Sequence, residues 1–146
     1  MTDETGPVLN QINLVARDTD ASAAFYRRLG LTFGDPPAPW DRHHRRAGTP
    51  EGLELELDSA EFATVWNEGW PAGNGGVGIG FRLGTRALVD ETYWDLTEAG
   101  YAGQQPPYDA FWGARYAVVK DPDGNSVGLM SPMDPAMRAA PPPAPA

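Results

Sequence analysis

Apolar positions fall at two spacings along this chain. They alternate in short runs, recur every three or four residues between those runs, and then repeat the same order. Asn10 to Val15 alternates and predicts a strand. Arg17-Asp18-Thr19-Asp20 offers N-caps to a short helix over Ala21 to Leu29, with Ala24, Phe25 and Leu29 on its inward side. Gly30 suits the position just past that helix, and Leu31-Thr32-Phe33 opens a further strand. The half closes on a predicted hairpin, Leu53 to Leu57 and Phe62 to Trp66 around Asp58-Ser59-Ala60. The second half repeats the order with a strand over Gly78 to Leu83 and a cap at Gly84-Thr85. A helix runs to Ala99 with Val89, Tyr93 and Leu96 on one stripe; Gly100 ends it, and a strand starts at Tyr101. Tyr116 to Lys120 and Ser126 to Met130 flank Asp121-Pro122-Asp123-Gly124, where early proline and late glycine suit a type I turn closing into a left-handed glycine. Gly30 and Gly100 lie 70 residues apart, so the predicted order is βαβββ twice, an α+β chain.

The pattern also divides the chain. Residues 1–7 carry no periodicity and predict a disordered N-terminus. The first module covers 8–70, a linker containing Gly73-Asn74-Gly75-Gly76 covers 71–77, and the second module covers 78–133. Residues 134–146 end in AAPPPAPA, where proline removes backbone donors, and predict a disordered Pro/Ala-rich tail. Within the first module Glu54 and Glu56 alternate with Leu53, Leu55 and Leu57, which assigns the leucines to the core and the glutamates to solvent.

Composition narrows the partners. At 146 residues the chain buries enough surface to fold without disulfides, and it has no cysteine to form one. No apolar run reaches a membrane span, and the N-terminus has no signal-peptide core, so a soluble cytoplasmic protein is expected. Twenty acidic against eleven basic side chains give a net charge of −9, which argues against nucleic acid and anionic lipid.

NLVARDTDASAAFYRRLGL (13–31) and FWGARYAVVKDPDGNSVGLMSP (111–132), set in this tandem order, resemble the vicinal oxygen chelate superfamily of glyoxalases, extradiol dioxygenases and bleomycin resistance proteins. The resemblance spans about residues 8–132. It implies curled mixed sheets around a cleft and a two-fold homodimer. It also implies a test, because the family's enzymes hold a divalent ion with side chains from strands one, four, five and eight. Gln11 stands at the first of these positions; the segment 62–66, read as strand four, has no carboxylate; the last two positions fall on Gly78 and Gly128. Glycine offers no ligand, so neither a metal nor another cofactor is expected.

His43 and His44 are adjacent, and neighbours on a strand face opposite ways, so they do not make one ion site. The segment Arg42 to Arg46 is read as an exposed basic loop or a lid. With no cysteine, nucleophile elbow or phosphate loop, aromatic surface is the main resource. Of five tryptophans, Trp94 on the second helix is read as core or dimer packing. Trp40, Trp66, Trp70, Tyr108, Phe111 and Trp112, with the polar Gln11, Asn13 and Asp109, are the candidate ligand-binding residues. Metal-free members of the resembling family clamp planar antibiotics between such rings, with Trp112 before Gly113 the closest match. The expected function is sequestration of an aromatic or polycyclic small molecule. The alternative is a cofactor-free lyase or isomerase using Gln11, Asn13 and Asp109.

Overall fold

The computed structural model describes residues 6–34, 39–71 and 76–144. They form an α+β chain in which seven strands and three α-helices are described. The chain divides into two compact units, Asn10–Gly78 with Pro142–Ala146, and Ile79–Pro141 with Met1–Leu9. The glycine run 73–75 of the expected linker, residues 1–5 of the N-terminus and residues 145–146 of the tail lie outside the described residues.

In the first unit β1 (Val8–Val15) runs parallel to β3 (Glu54–Asp58), which pairs antiparallel with β2 (His44–Gly48), giving the order β2-β3-β1. Helix α1 (Thr19–Arg27) starts where the Asp18 carboxylate accepts from the Ala21 N–H at 3.0 Å. It begins two residues before the expected start, and its inward stripe is Thr19 and Ala23, with Tyr26 half-buried beside the core. Ala24, Phe25 and Leu29, expected inside, are exposed. Ala23, Phe33, Ala47 and Leu57 form the core, with Leu14, Tyr26, Leu31 and Leu55 packed against it.

Two expected strands are corrected here. Leu31-Thr32-Phe33 contributes Phe33 to the core but is not a strand. Residues 60–66 are a helix, α2 (Ala60–Trp66), because the Ser59 hydroxyl caps it by accepting from the Phe62 N–H at 3.0 Å. Phe62, Ala63 and Trp66 then fall on one buried face. The first half therefore closes on β3 followed by a helix, not on a hairpin.

The second unit has the order β4-β7-β6-β5, from β4 (Gly76–Arg82), β5 (Gly103–Asp109), β6 (Arg115–Lys120) and β7 (Ser126–Met130). Helix α3 (Arg86–Glu98) is capped by Thr85, whose hydroxyl accepts from the Leu88 N–H at 3.1 Å. Val89 and Tyr93 pack into Leu83, Ala117, Val119 and Leu129, with Leu96 beside them, as the stripe predicts. The β6–β7 turn follows its sequence closely. Gly124 sits at φ +88°, and the Asp121 carboxylate accepts from the N–H groups of Asp123 and Asn125. Past β7, Pro135–Met137 makes a 3-10 turn and the Ala139 N–H donates to the Phe111 carbonyl at 2.9 Å.

Candidate functional site

Strand pairing decides which side chains of the first unit share a face. Gln11 stands opposite Glu54, Asn13 opposite Glu56, His44 opposite Asp58 and Arg46 opposite Glu56. Because side chains alternate, all seven project to the face away from the core cluster that includes Leu57 and Ala47. The expected alternation of Glu54 and Glu56 with the leucines is therefore present, but that side is not simply solvent. The Glu56 side chain is only 13 % exposed and Asp58 only 1 %.

Buried carboxylates need donors, and this face supplies them. Asp58 accepts from His44 Nδ1 at 2.6 Å, from Trp66 Nε1 at 3.1 Å and from Asn13 Nδ2 at 3.2 Å. Glu56 Oε2 accepts from Asn13 Nδ2 at 2.8 Å and from Gln11 Nε2 through a short bond. Gln11 Nε2 also donates to Asn13 Oδ1 at 2.8 Å. Burial, then the adjacent charge of Asp58, pushes the Glu56 carboxyl up from 4.5 to about 7, although His44 and Asn13 pull the other way. Burial opposes a charge on His44, but the hydrogen bond and charge of Asp58, helped by Glu56, raise its pKa above the usual 6.5.

The aromatic candidates of this unit are packed around the polar cluster. Trp40, Trp66 and Trp70 are all buried. Trp40 lies edge-on to His43 at 5.1 Å and against Phe62 at 5.0 Å; Trp66 meets Trp70 at 5.6 Å; Phe62 lies 4.9 Å from His44. The basic segment is not a free loop, since His44 opens β2 and Arg45 pairs with Asp20. His43 Nδ1 is 2.8 Å from the Ser59 hydroxyl. Sequence reasoning placed none of His44, Glu56 and Asp58 at a site. The available signal was the acidic alternation 54, 56, 58 along a strand beside two histidines.

In the second unit Tyr108, Trp112 and Tyr116 stand mutually edge-on, and Phe111 meets Trp112 the same way. Trp112 is 5.4 Å from Tyr116, 5.2 Å from Phe111 and 6.4 Å from Tyr108, and its Nε1 donates to Met130 Sδ at 3.3 Å. Tyr108 lies 6.1 Å from Tyr116, and burial raises its hydroxyl pKa. Asp109 is apart from these rings chemically. Its slight desolvation is outweighed by Arg115 and Arg86, which hold its carboxyl below the usual range; Arg115 is itself bound by Asp90 at 2.8 and 2.9 Å. That carboxyl is poorly suited to deliver a proton at neutral pH.

Trp94, read as core or dimer packing, is not in the core of the chain: it is 54 % exposed, with one edge on Tyr93 at 5.0 Å. Trp94→Ala should therefore cost less than about 1 kcal/mol in urea denaturation. A loss of several kcal/mol would return the ring to the packed interior.

The superfamily's metal can be tested against these side chains. A Cβ built on Gly128 would lie 2.6 Å from Tyr116 Oη and 3.2 Å from two of its ring carbons, so the phenol already fills the space of a ligand there. Gly78 has no side chain, and Gln11 and Glu56 are hydrogen-bonded to one another. Among the described residues no group of three or more His, Cys, Asp or Glu is placed to hold a metal ion. The residues present do not fit the four-ligand set. Among these residues no helix is long and apolar enough to cross a membrane.

Known proteins place the fold. Methylmalonyl-CoA epimerase from Mycobacterium tuberculosis aligns at 16 % identity with TM-score 0.59, covering 86 % of this chain and 88 % of its own. The Mn(II)-bound glyoxalase from Novosphingobium aromaticivorans aligns at 19 % identity with TM-score 0.56, covering 87 % of this chain and 38 % of its own. A glyoxalase/bleomycin resistance protein/dioxygenase superfamily member from Vibrio splendidus 12B01 aligns at 17 % identity with TM-score 0.52, covering 86 % and 98 %. No curated protein matches the chain. The family model for the Glyoxalase/Bleomycin resistance protein/Dioxygenase superfamily matches residues 8–129, and the chain belongs to that superfamily.

Proposed function

We propose that this chain is a cytoplasmic, metal-free small-molecule-binding protein that sequesters a planar or polycyclic compound, as a self-resistance protein does. The observation that carries this reading is the phenol of Tyr116 over Gly128, with Tyr108 and Trp112 edge-on to it. Where a metal-dependent relative needs a carboxylate, this chain presents an aromatic wall. Rigid rings contribute contact area and stacking at little entropic cost, which suits a flat ligand.

A fused-ring aromatic ligand should quench tryptophan emission saturably. Trp112→Ala should raise the dissociation constant about 10- to 30-fold, the equivalent of ~1.5–2 kcal/mol for a stacked ring and its burial. Unchanged affinity in Trp112→Ala would remove the wall from the site. We also propose a homodimer, and light scattering should then give about twice 15.7 kDa.

A further inference from the structure

We propose that the C-terminal segment 134–139 is a positioning strap for the ligand site, setting its affinity through the orientation of Trp112. The inference rests on the binding reading above and adds to it residues that are not part of the aromatic wall.

Strap and wall meet at the turn between β5 and β6. The Ala110 N–H donates to the Ala114 carbonyl at 2.8 Å, and the Gly113 N–H donates to the Ala110 carbonyl at 3.0 Å. Those bonds close the turn on itself, but neither uses a carbonyl beside Trp112. The strap takes both of these. The Phe111 carbonyl, immediately before Trp112, accepts from the Ala139 N–H at 2.9 Å. The Gly113 carbonyl, one residue after Trp112, accepts from the Asp134 N–H at 3.0 Å. The rotamers open to a side chain follow its own φ and ψ, so holding the main chain on both sides fixes where the indole points.

The fit is close. Gly113 sits at φ +96°, and a Cβ there would stand 2.5 Å from the Asp134 carbonyl oxygen and 3.2 Å from Arg138 Cγ. The strap therefore lies directly on the turn. Its own shape is set locally, since the Asp134 carboxylate accepts from the Ala136 N–H at 3.0 Å and caps the 3-10 turn Pro135–Met137. Arg86, at the start of α3, completes the grip. Its Nη1 donates to the Gly113 carbonyl at 3.2 Å, and its Nη2 pairs with Asp109 at the end of β5. All of these groups belong to the second unit.

The sequence leaves the strap its donor. Prolines fill 141–143, whereas position 139 is an alanine with an N–H to give. A ligand that stacks on Trp112 binds only molecules whose ring is in place, so the apparent dissociation constant rises as the gripped fraction falls. Ala139 and Asp134 are both exposed, and each bond contributes little alone, which makes that fraction sensitive to the loss of one.

The test uses the full chain labelled with 5-fluorotryptophan and phenazine as the probe, with the Trp112 fluorine signal assigned from Trp112→Phe. Ala139→Pro removes the N–H, and Arg138, at φ −68° and ψ 141°, already has a conformation that precedes proline. It should move or broaden the Trp112 signal, leave those of Trp66 and Trp94 in place, and raise the phenazine dissociation constant about 3- to 10-fold. Ala139→Ser, which keeps the N–H, should restore the wild-type signal and affinity. In a Trp112→Ala background Ala139→Pro should have no further effect on affinity, a coupling that lost stability alone would not produce. An unmoved Trp112 signal in Ala139→Pro, or the same fold-loss with and without the Trp112 ring, overturns the proposal. Should Ala139→Pro not fold, Asp134→Ala decides by the same readouts, and an unmoved signal there overturns it. Phenazine without measurable affinity for the wild type would sink the binding reading, while the fluorine signal still decides whether the strap orients Trp112.

Discussion

Asp58→Ala should destabilise the chain by about 3–5 kcal/mol, the cost of removing one partner from a buried charged cluster. The reason is the number of donors it strands. His44 Nδ1, Trp66 Nε1 and Asn13 Nδ2 all converge on that carboxylate, and Trp66 and Asn13 are themselves buried. Asn13 Nδ2 keeps its bond to Glu56, so the cost falls mainly on His44 and Trp66, at about 1–3 kcal/mol for each bond lost, and His44 can recover part of this by turning toward water. For a chain of this length the melting temperature should fall by roughly 10 °C. Asp90→Ala is the contrast. It removes a bidentate partner from Arg115, but both side chains are substantially exposed, and the expected loss is below about 1 kcal/mol. Equal losses from the two substitutions would mean that the Asp58 cluster is as well hydrated as a surface pair.

Stability should be greatest near pH 5 and should decline toward pH 8. Glu56 titrates near 4.5 in an unfolded chain and near 7 in the folded one. Below 4.5 both states are protonated and nothing is lost. Between 4.5 and 7 the unfolded chain releases the proton that the folded chain keeps, so stability falls as pH rises, by about 3 kcal/mol in all. His44 acts in the same direction, since its raised folded pKa gives stability that is present below 6.5 and lost as pH passes the folded value. Asp109 and Asp121, held below their usual 3.8, act in the opposite direction and contribute stability that disappears only in stronger acid. Urea midpoints at pH 5 and pH 8 measure the difference, and Glu56→Gln should remove most of it. A midpoint that rises with pH over this interval would contradict the buried carboxyl.

The parts of the fold legible in the sequence are those where backbone chemistry is local. The Asp121 to Gly124 turn needs a left-handed glycine and an aspartate that bonds its own chain, and both are visible as residue types. The inward stripe of α3 likewise follows from spacing alone. Segments decided by packing are less legible. Phe62 to Trp66 is rich in residues that favour strands, yet one hydroxyl at Ser59 starts a helix and a core position for Phe62, Ala63 and Trp66 keeps it. Leu31 to Phe33 carries strand residues but is not paired as a strand. The candidate site was legible only as residue types. Gln11 and Asn13 lie in the polar cluster, but the register that brings Glu56 and Asp58 to them joins residues more than forty positions apart, and His44 enters only through its pairing with Asp58. The alternation of Glu54 and Glu56 shows that they share a face, and it carries no information about what covers that face.

The C-terminal residues form a bond whose chemistry is indifferent to side chains. The Trp40 indole N–H donates to the backbone carbonyl of Pro142 at 2.9 Å, and any amino acid at position 142 offers the same oxygen. What the neighbouring prolines supply is stiffness: a chain already extended loses little freedom when its carbonyl is held, whereas a glycine-rich segment would lose much more. Drift in the identity of these residues should therefore be tolerated as long as their rigidity is kept. A flexible peptide in place of the last five residues would still present a carbonyl at position 142, but holding it against the Trp40 indole would cost more chain freedom and weaken the bond.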